Sequence, residues 1–116
     1  MLDFEEIASL IRNNKIDILA AHFEDRVVGV DVRDPVNGNT LLHVACQNGS
    51  KRAVKCILRQ GNNMNAQNNH GNTPLHFLEM YGFRDLSAYI KSKGADDSLI
   101  NKDGLTCYEL NPSFCD

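Results

Sequence analysis

The chain has 116 residues, is 42% apolar and carries a formal net charge of -3, which suits one domain with a modest core. Its mild acidity gives no general attraction to nucleic acid. No apolar run approaches the ~18 residues that cross a bilayer, and residues 1–6 lack the basic-then-apolar order of a secretory signal, so a cytoplasmic protein with neither a nucleic-acid nor a membrane partner is expected.

In chain order, the first predicted elements are two helices. Ile7, Leu10 and Ile11 mark one, Asn13 and Asn14 a break, and Ile18, Leu19 and Phe23 the next, each set at helical spacing. The polar Asp3, Glu5, Glu6 and Arg12 suit a face turned to water. Thr40 then fits a helix N-cap, its hydroxyl accepting from an otherwise unpaired backbone N–H. This helix is expected to end near Gly49, because glycine enters the left-handed conformation without steric cost. Ser50 caps the following helix, Val54, Ile57 and Leu58 form its buried stripe, and Gly61 closes it. An Asn- and Gly-rich turn segment, residues 62–72, leads to a second such pair. There Thr73 is the cap, Pro74 takes the first helical position where no N–H is needed, and Gly82 and Gly94 are the stops. At the carboxyl end, residues 106–110 allow one or two helical turns, but Asn111 and Pro112 oppose continuation.

These elements are copies. Gly38, Gly71 and Gly104 each stand two places before a threonine, Thr40, Thr73 and Thr106, at a constant interval of thirty-three residues. Gly49 recurs as Gly82, Ile57 as Ile90 and Gly61 as Gly94 at the same interval. Such a period signals a stacked array in which no unit buries its apolar face alone.

Asn37 to Ala45 reads Asn-Gly-Asn-Thr-Leu-Leu-His-Val-Ala, and His70 to Leu78 reads His-Gly-Asn-Thr-Pro-Leu-His-Phe-Leu. Both runs resemble the ankyrin repeat, whose signature is Thr-Pro-Leu-His-x-Ala. The resemblance implies an all-α solenoid of stacked helix-turn-helix units with protruding β-turn fingers. It divides the single domain into a degenerate capping unit over 1–36, repeats over 37–69 and 70–102, and a truncated unit over 103–116. Val30-Asp31-Val32 is similar to the family's Ala-Asp-Val-Asn, and aligning Asn14 with Gly49 leaves a two-residue insertion, placed at Pro35 and Val36, that lengthens the finger from Val27 to Pro35. The short last unit either caps the stack or belongs to a longer array. Leu41 in place of the family's Pro and Leu78 in place of its Ala imply shifted packing.

Four cysteines, Cys46, Cys56, Cys107 and Cys115, form no Cys-x-x-Cys pair and lie near no histidine at ligand spacing. Reduced structural thiols are expected rather than disulfides or zinc. The resemblance gives His43 and His76 a scaffold role, bonding the threonine hydroxyl and the adjoining finger, and no nucleophile and base are assembled around them. An enzyme, a cofactor, a metal and a small-molecule substrate are therefore not expected. The partner implied is another protein, met on a concave palm. Its finger-tip positions are Asn37, Asn39, Asn69, His70, Asn72, Lys102 and Asp103, and its first-helix positions are Gln47, Asn48, Met80 and Tyr81. Met80 and Tyr81 have the adaptable and amphipathic character of interface anchors, although Tyr81 packed on the last unit is a competing arrangement. Lys51, Arg52, Lys55 and Arg59 recur at helical spacing; a solvated convex face accounts for them, and attraction to an acidic partner surface is the alternative.

Overall fold

The structure is a computed structural model that describes residues 3–24, 32–61 and 63–110. Among these residues the order is α1 (Phe4–Arg12), α2 (Ile16–Glu24), α3 (Leu41–Gln47), α4 (Lys51–Leu58), α5 (Pro74–Met80), α6 (Arg84–Ser92) and a 3-10 turn (Cys107–Leu110). The all-α solenoid is thus the observed architecture, and the one described β interaction is an isolated antiparallel bridge between Arg33 and Thr40 at the base of a finger.

Each helix pair packs on itself, and the first helices α1, α3 and α5 line up with the 3-10 turn as a continuous row. The reason lies in the stripes. Phe4, Ile7, Ala8 and Ile11 of α1, Leu41, Leu42, Val44 and Ala45 of α3, and Leu75, Phe77 and Leu78 of α5 are buried in one core. Such apolar area removed from water contributes about 25 cal/mol per Å2, and no unit has a second wall of its own to supply it. Leu78 is fully buried at the position corresponding to the equally buried Ala45, so the larger side chain is accommodated inside the stack.

The termini of the helices follow the local chemistry. Thr40 and Thr73 accept from the backbone N–H of His43 and His76, and Ser50 accepts from that of Ala53. Asn14 adopts φ +57° and its counterpart Gly49 φ +64°, both closing a first helix in the left-handed region. Asparagine tolerates that conformation better than other side-chain-bearing residues. At Gly49 a Cβ would also lie 2.6 Å from the Phe83 ring, so here the site needs glycine twice over.

Two expectations differ from the structure. Ile18 is exposed at 47%, because Ile16, Leu19 and Phe23 fall on the buried stripe of α2 and Ile18 lies about 100° per residue away from it. One of the two inserted residues lies at the tip of the first finger and the other before Asp34: Gly38 N–H donates to the Asp34 carbonyl four residues back, whereas Gly71 and Gly104 reach Asn68 and Asn101 three back. Residues 25–31, Asn62 and residues 111–116 lie outside the described residues, and with them the Val30-Asp31 resemblance, the start of the long finger, Pro112 and Cys115. The described thiols Cys46, Cys56 and Cys107 are free and buried. Burial raises the pKa of all three, that of Cys107 to about 11, so they remain protonated.

Candidate protein-interaction surface

The fingers are joined to each other by a repeating ladder. Asn69 N–H donates to the Asn37 carbonyl at 2.8 Å, and one period later Lys102 N–H donates to that of His70 at 3.0 Å. Beneath these bonds run side-chain rungs: Asn68 Nδ2 donates to Asn39 Oδ1 at 2.8 Å, and Asn101 Nδ2 to Asn72 Oδ1 at 3.0 Å. The same asparagines fold their own tips. Asn68 Oδ1 accepts from His70 and Asn72 N–H, and Asn101 Oδ1 accepts from Asp103 and Leu105 N–H. Asn68 and Asn101 were not singled out from the sequence; their recurrence one period apart was the signal.

The histidines tie this ladder to the helices. Nδ1 of His43 accepts from Thr40 N–H at 3.0 Å, and Nε2 lies 2.7 Å from the Asn72 carbonyl in the next finger. His76 repeats the pattern with Thr73 N–H at 3.1 Å and the Leu105 carbonyl at 3.0 Å. A backbone N–H only donates and a carbonyl only accepts, so both rings are neutral with the proton on Nε2. Burial lowers the pKa of His43 to about 4, and it lowers that of His76 as well. With both nitrogens committed to the scaffold, neither ring has a lone pair left to act as a base or to bind a metal.

The predicted contact positions separate into two classes. Asn39 is buried and Asn72 is half-buried, and both serve as rungs between fingers. Asn39 is therefore removed from the contact surface, a correction with a physical cause: its amide oxygen is consumed by Asn68. Asn69, His70, Lys102 and Asp103 are exposed at the tips, Asn37 is half-buried beside them, and Gln47, Asn48 and Tyr81 are exposed at the far end of the first helices. Asn48 also donates to the Val44 carbonyl at 2.8 Å. Met80 is partly buried against the core.

Tyr81 is 49% exposed. Its ring lies 6.4 Å from Phe77 and 6.5 Å from Phe83, and Phe77 meets His43 edge-on at 5.4 Å. Gln47 Nε2 of the preceding unit stands 3.5 Å from its hydroxyl. Among the described residues Tyr81 thus leans back toward α3. The described part of the last unit is held by Tyr108, whose hydroxyl donates to Asp97 at 2.5 Å and accepts from Lys91 at 3.0 Å. Among the described residues no group of His, Cys, Asp and Glu side chains has the arrangement of a metal site, and no helix is long and apolar enough to cross a membrane.

Comparison with known proteins agrees with this geometry. A relative described as protein phosphatase 1 regulatory subunit 27 of Mus musculus is 31% identical over 107 residues, spanning 91% of this chain and 69% of its own length. The Homo sapiens protein of that name is 28% identical over 88% of this chain, which spans 58% of it. A putative ankyrin repeat protein of fowlpox virus is 34% identical over 59% of this chain and 16% of its own length. The family model described as ankyrin repeats (3 copies) matches residues 6–101. Stacked helix pairs, finger ladder and family match agree, and the chain belongs to the ankyrin repeat family.

Proposed function

We propose that the chain is a non-enzymatic protein-binding module, one domain of four units over 1–36, 37–69, 70–102 and 103–116. Its partner would sit on the concave side formed by the finger tips and the exposed ends of the first helices. The observation that carries the reading is Tyr81: a large amphipathic ring, half exposed, backed by Phe77 and Phe83. Rigid aromatic groups of that kind dominate the energetics of protein interfaces. Asn69, His70, Lys102 and Asp103 supply polar contacts around it, on a backbone already fixed by the ladder, so little ordering entropy is lost on binding.

A second reading, an inhibitor that blocks an enzyme by occupancy, is favoured by the names of the relatives, two of which are regulatory subunits of protein phosphatase 1. A structural subunit of a larger assembly is the alternative to both. The test is affinity capture from native extract, and from a purified phosphatase catalytic subunit, by the intact chain and by Tyr81→Ala and Met80→Ala. Loss of a specific partner in the Tyr81 variant, by about tenfold or more in affinity, supports the concave assignment. Retention in both variants rejects it.

A further inference from the structure

The opposite side of the molecule has a different chemistry. The chain as a whole is acidic, at -3, yet α4 carries Lys51, Arg52 and Lys55 with no acidic residue, and Arg59 follows as its C-cap. Lys51, Lys55 and Arg59 stand four residues apart, so they form one row along the helix. Facing them on α6 is Tyr89. The ammonium groups of Lys51, Lys55 and Lys93 lie 5.7, 5.5 and 5.6 Å from the centre of that single ring. They are therefore no further apart than twice that distance, comparable with the ~10 Å over which charges still sense each other at 0.1 M salt.

The second helices α4 and α6 meet less closely than the first helices α3 and α5, and the space between them is a groove of about 460 Å3. Its lining is Lys55, Leu58, Arg59, Met64, Tyr89 and Lys93, with no carboxylate. Leu58, Met64 and Tyr89 are partly buried and make an apolar floor, while Arg59 and Lys93 are exposed at the rim. Among the described residues carboxylates flank this groove without lining it, one being Asp96, whose backbone N–H donates to Asn65 beside Met64. Asp17 pairs with Arg52 at 3.2 Å, and Asp85 lies in the neighbouring depression with Lys51. Lys51, Lys55, Arg59 and Lys93 take part in no ion pair among the described residues.

A face needed only for solubility would intersperse both signs. Here three cations converge on one aromatic ring above an apolar floor, with Arg59 beside them. We propose that the α4–α6 groove is a second binding site, on the convex side, for an acidic peptide segment that places one apolar side chain on Leu58 and Met64 and flanking carboxylates against Lys55, Arg59 and Lys93. A membrane surface fits less well: the apolar residues are recessed, and the large apolar side chains that stand exposed, Ile18, Val36, Tyr81 and Ile100, line none of this groove. A single-stranded nucleic acid would need the Tyr89 ring for base stacking, and the lysines already occupy positions over it.

The test uses the intact chain and a fluorescein-labelled peptide with one leucine flanked on both sides by glutamates, read by fluorescence anisotropy. Saturable binding is expected that weakens as salt rises, falls about tenfold or more in the Lys55→Glu/Lys93→Glu double variant, and falls about fivefold when the peptide's leucine becomes serine. Tyr81→Ala should leave it unchanged, which separates this site from the concave one. The Lys55→Gln/Lys93→Gln variant, with charges removed and not reversed, should fall between. The proposal is overturned by absence of saturation at millimolar peptide, or by equal affinity in the double variant with an unaltered thermal melt. Tighter binding of polyuridylate or of phosphatidylserine vesicles than of the peptide overturns it too.

Discussion

Inner and outer units start their first helices with different partners for the same cap. Asp3 pairs with Glu6 and Thr106 with Glu109, whereas Thr40 pairs with His43 and Thr73 with His76. Glu6 and Glu109 are exposed and, among the described residues, reach back only to their own cap. His43 and His76 are buried and use the second ring nitrogen to grasp the following finger. A carboxylate suffices to cap a helix. An imidazole is placed where the cap must also join two units, because it alone of the two offers an acceptor and a donor on opposite edges at once.

The severest way to break the inner joint is Gly71→Val. Gly71 has φ +78°, and a Cβ there would stand 2.7 Å from the backbone nitrogen of Lys102 in the next finger. Strain and clash together cost on the order of 4 kcal/mol, and loss of the cooperative thermal melt is expected; a native-like melt would refute the fit described. Acid is next. The pKa of His43 falls from 6.5 to about 4 on folding, so the unfolded chain takes up the proton first. The His43 contribution is complete above pH 6.5 and declines as pH falls toward 4, by about 3 kcal/mol. Urea melts at stepwise pH should show this decline, and His43→Gln should reduce it, leaving the parts due to His76 and to carboxylates.

Truncation grades the comparison further. His43→Ala strands Thr40 N–H and the Asn72 carbonyl inside the stack and should cost about 2–3 kcal/mol by denaturant unfolding. His76→Ala should cost less, since among the described residues the finger it grips leads only to a 3-10 turn. At the outer end, Asp3→Ala removes an exposed cap and should cost about 0.5–1 kcal/mol. Equal losses at Asp3 and His43 would mean that the inner histidines are caps and nothing more.

The thirty-three-residue interval made the helix pairs, their caps and their glycine stops legible in advance, because each depends on a residue and its immediate neighbours. Asn14 as the counterpart of Gly49 was legible for the same reason. The rungs Asn68–Asn39 and Asn101–Asn72 were not, since they depend on how far one unit is displaced against the next, which spacing within a unit does not encode. Asn39 therefore looked like a tip residue and proved to be an internal one. Tyr81 was located by its place in the repeat, but its lean toward Gln47 follows from Phe83 standing where the preceding unit has Ser50. The α4–α6 groove needed coordinates, because Tyr89 and Lys55 are thirty-four residues apart and only the splay of two helices brings them together.

His43 and His76 each reach a carbonyl twenty-nine residues further along the chain, Asn72 and Leu105. A ribosome emits the histidine well before its acceptor exists. Every inner unit therefore leaves the exit tunnel with an open latch that only its successor can shut.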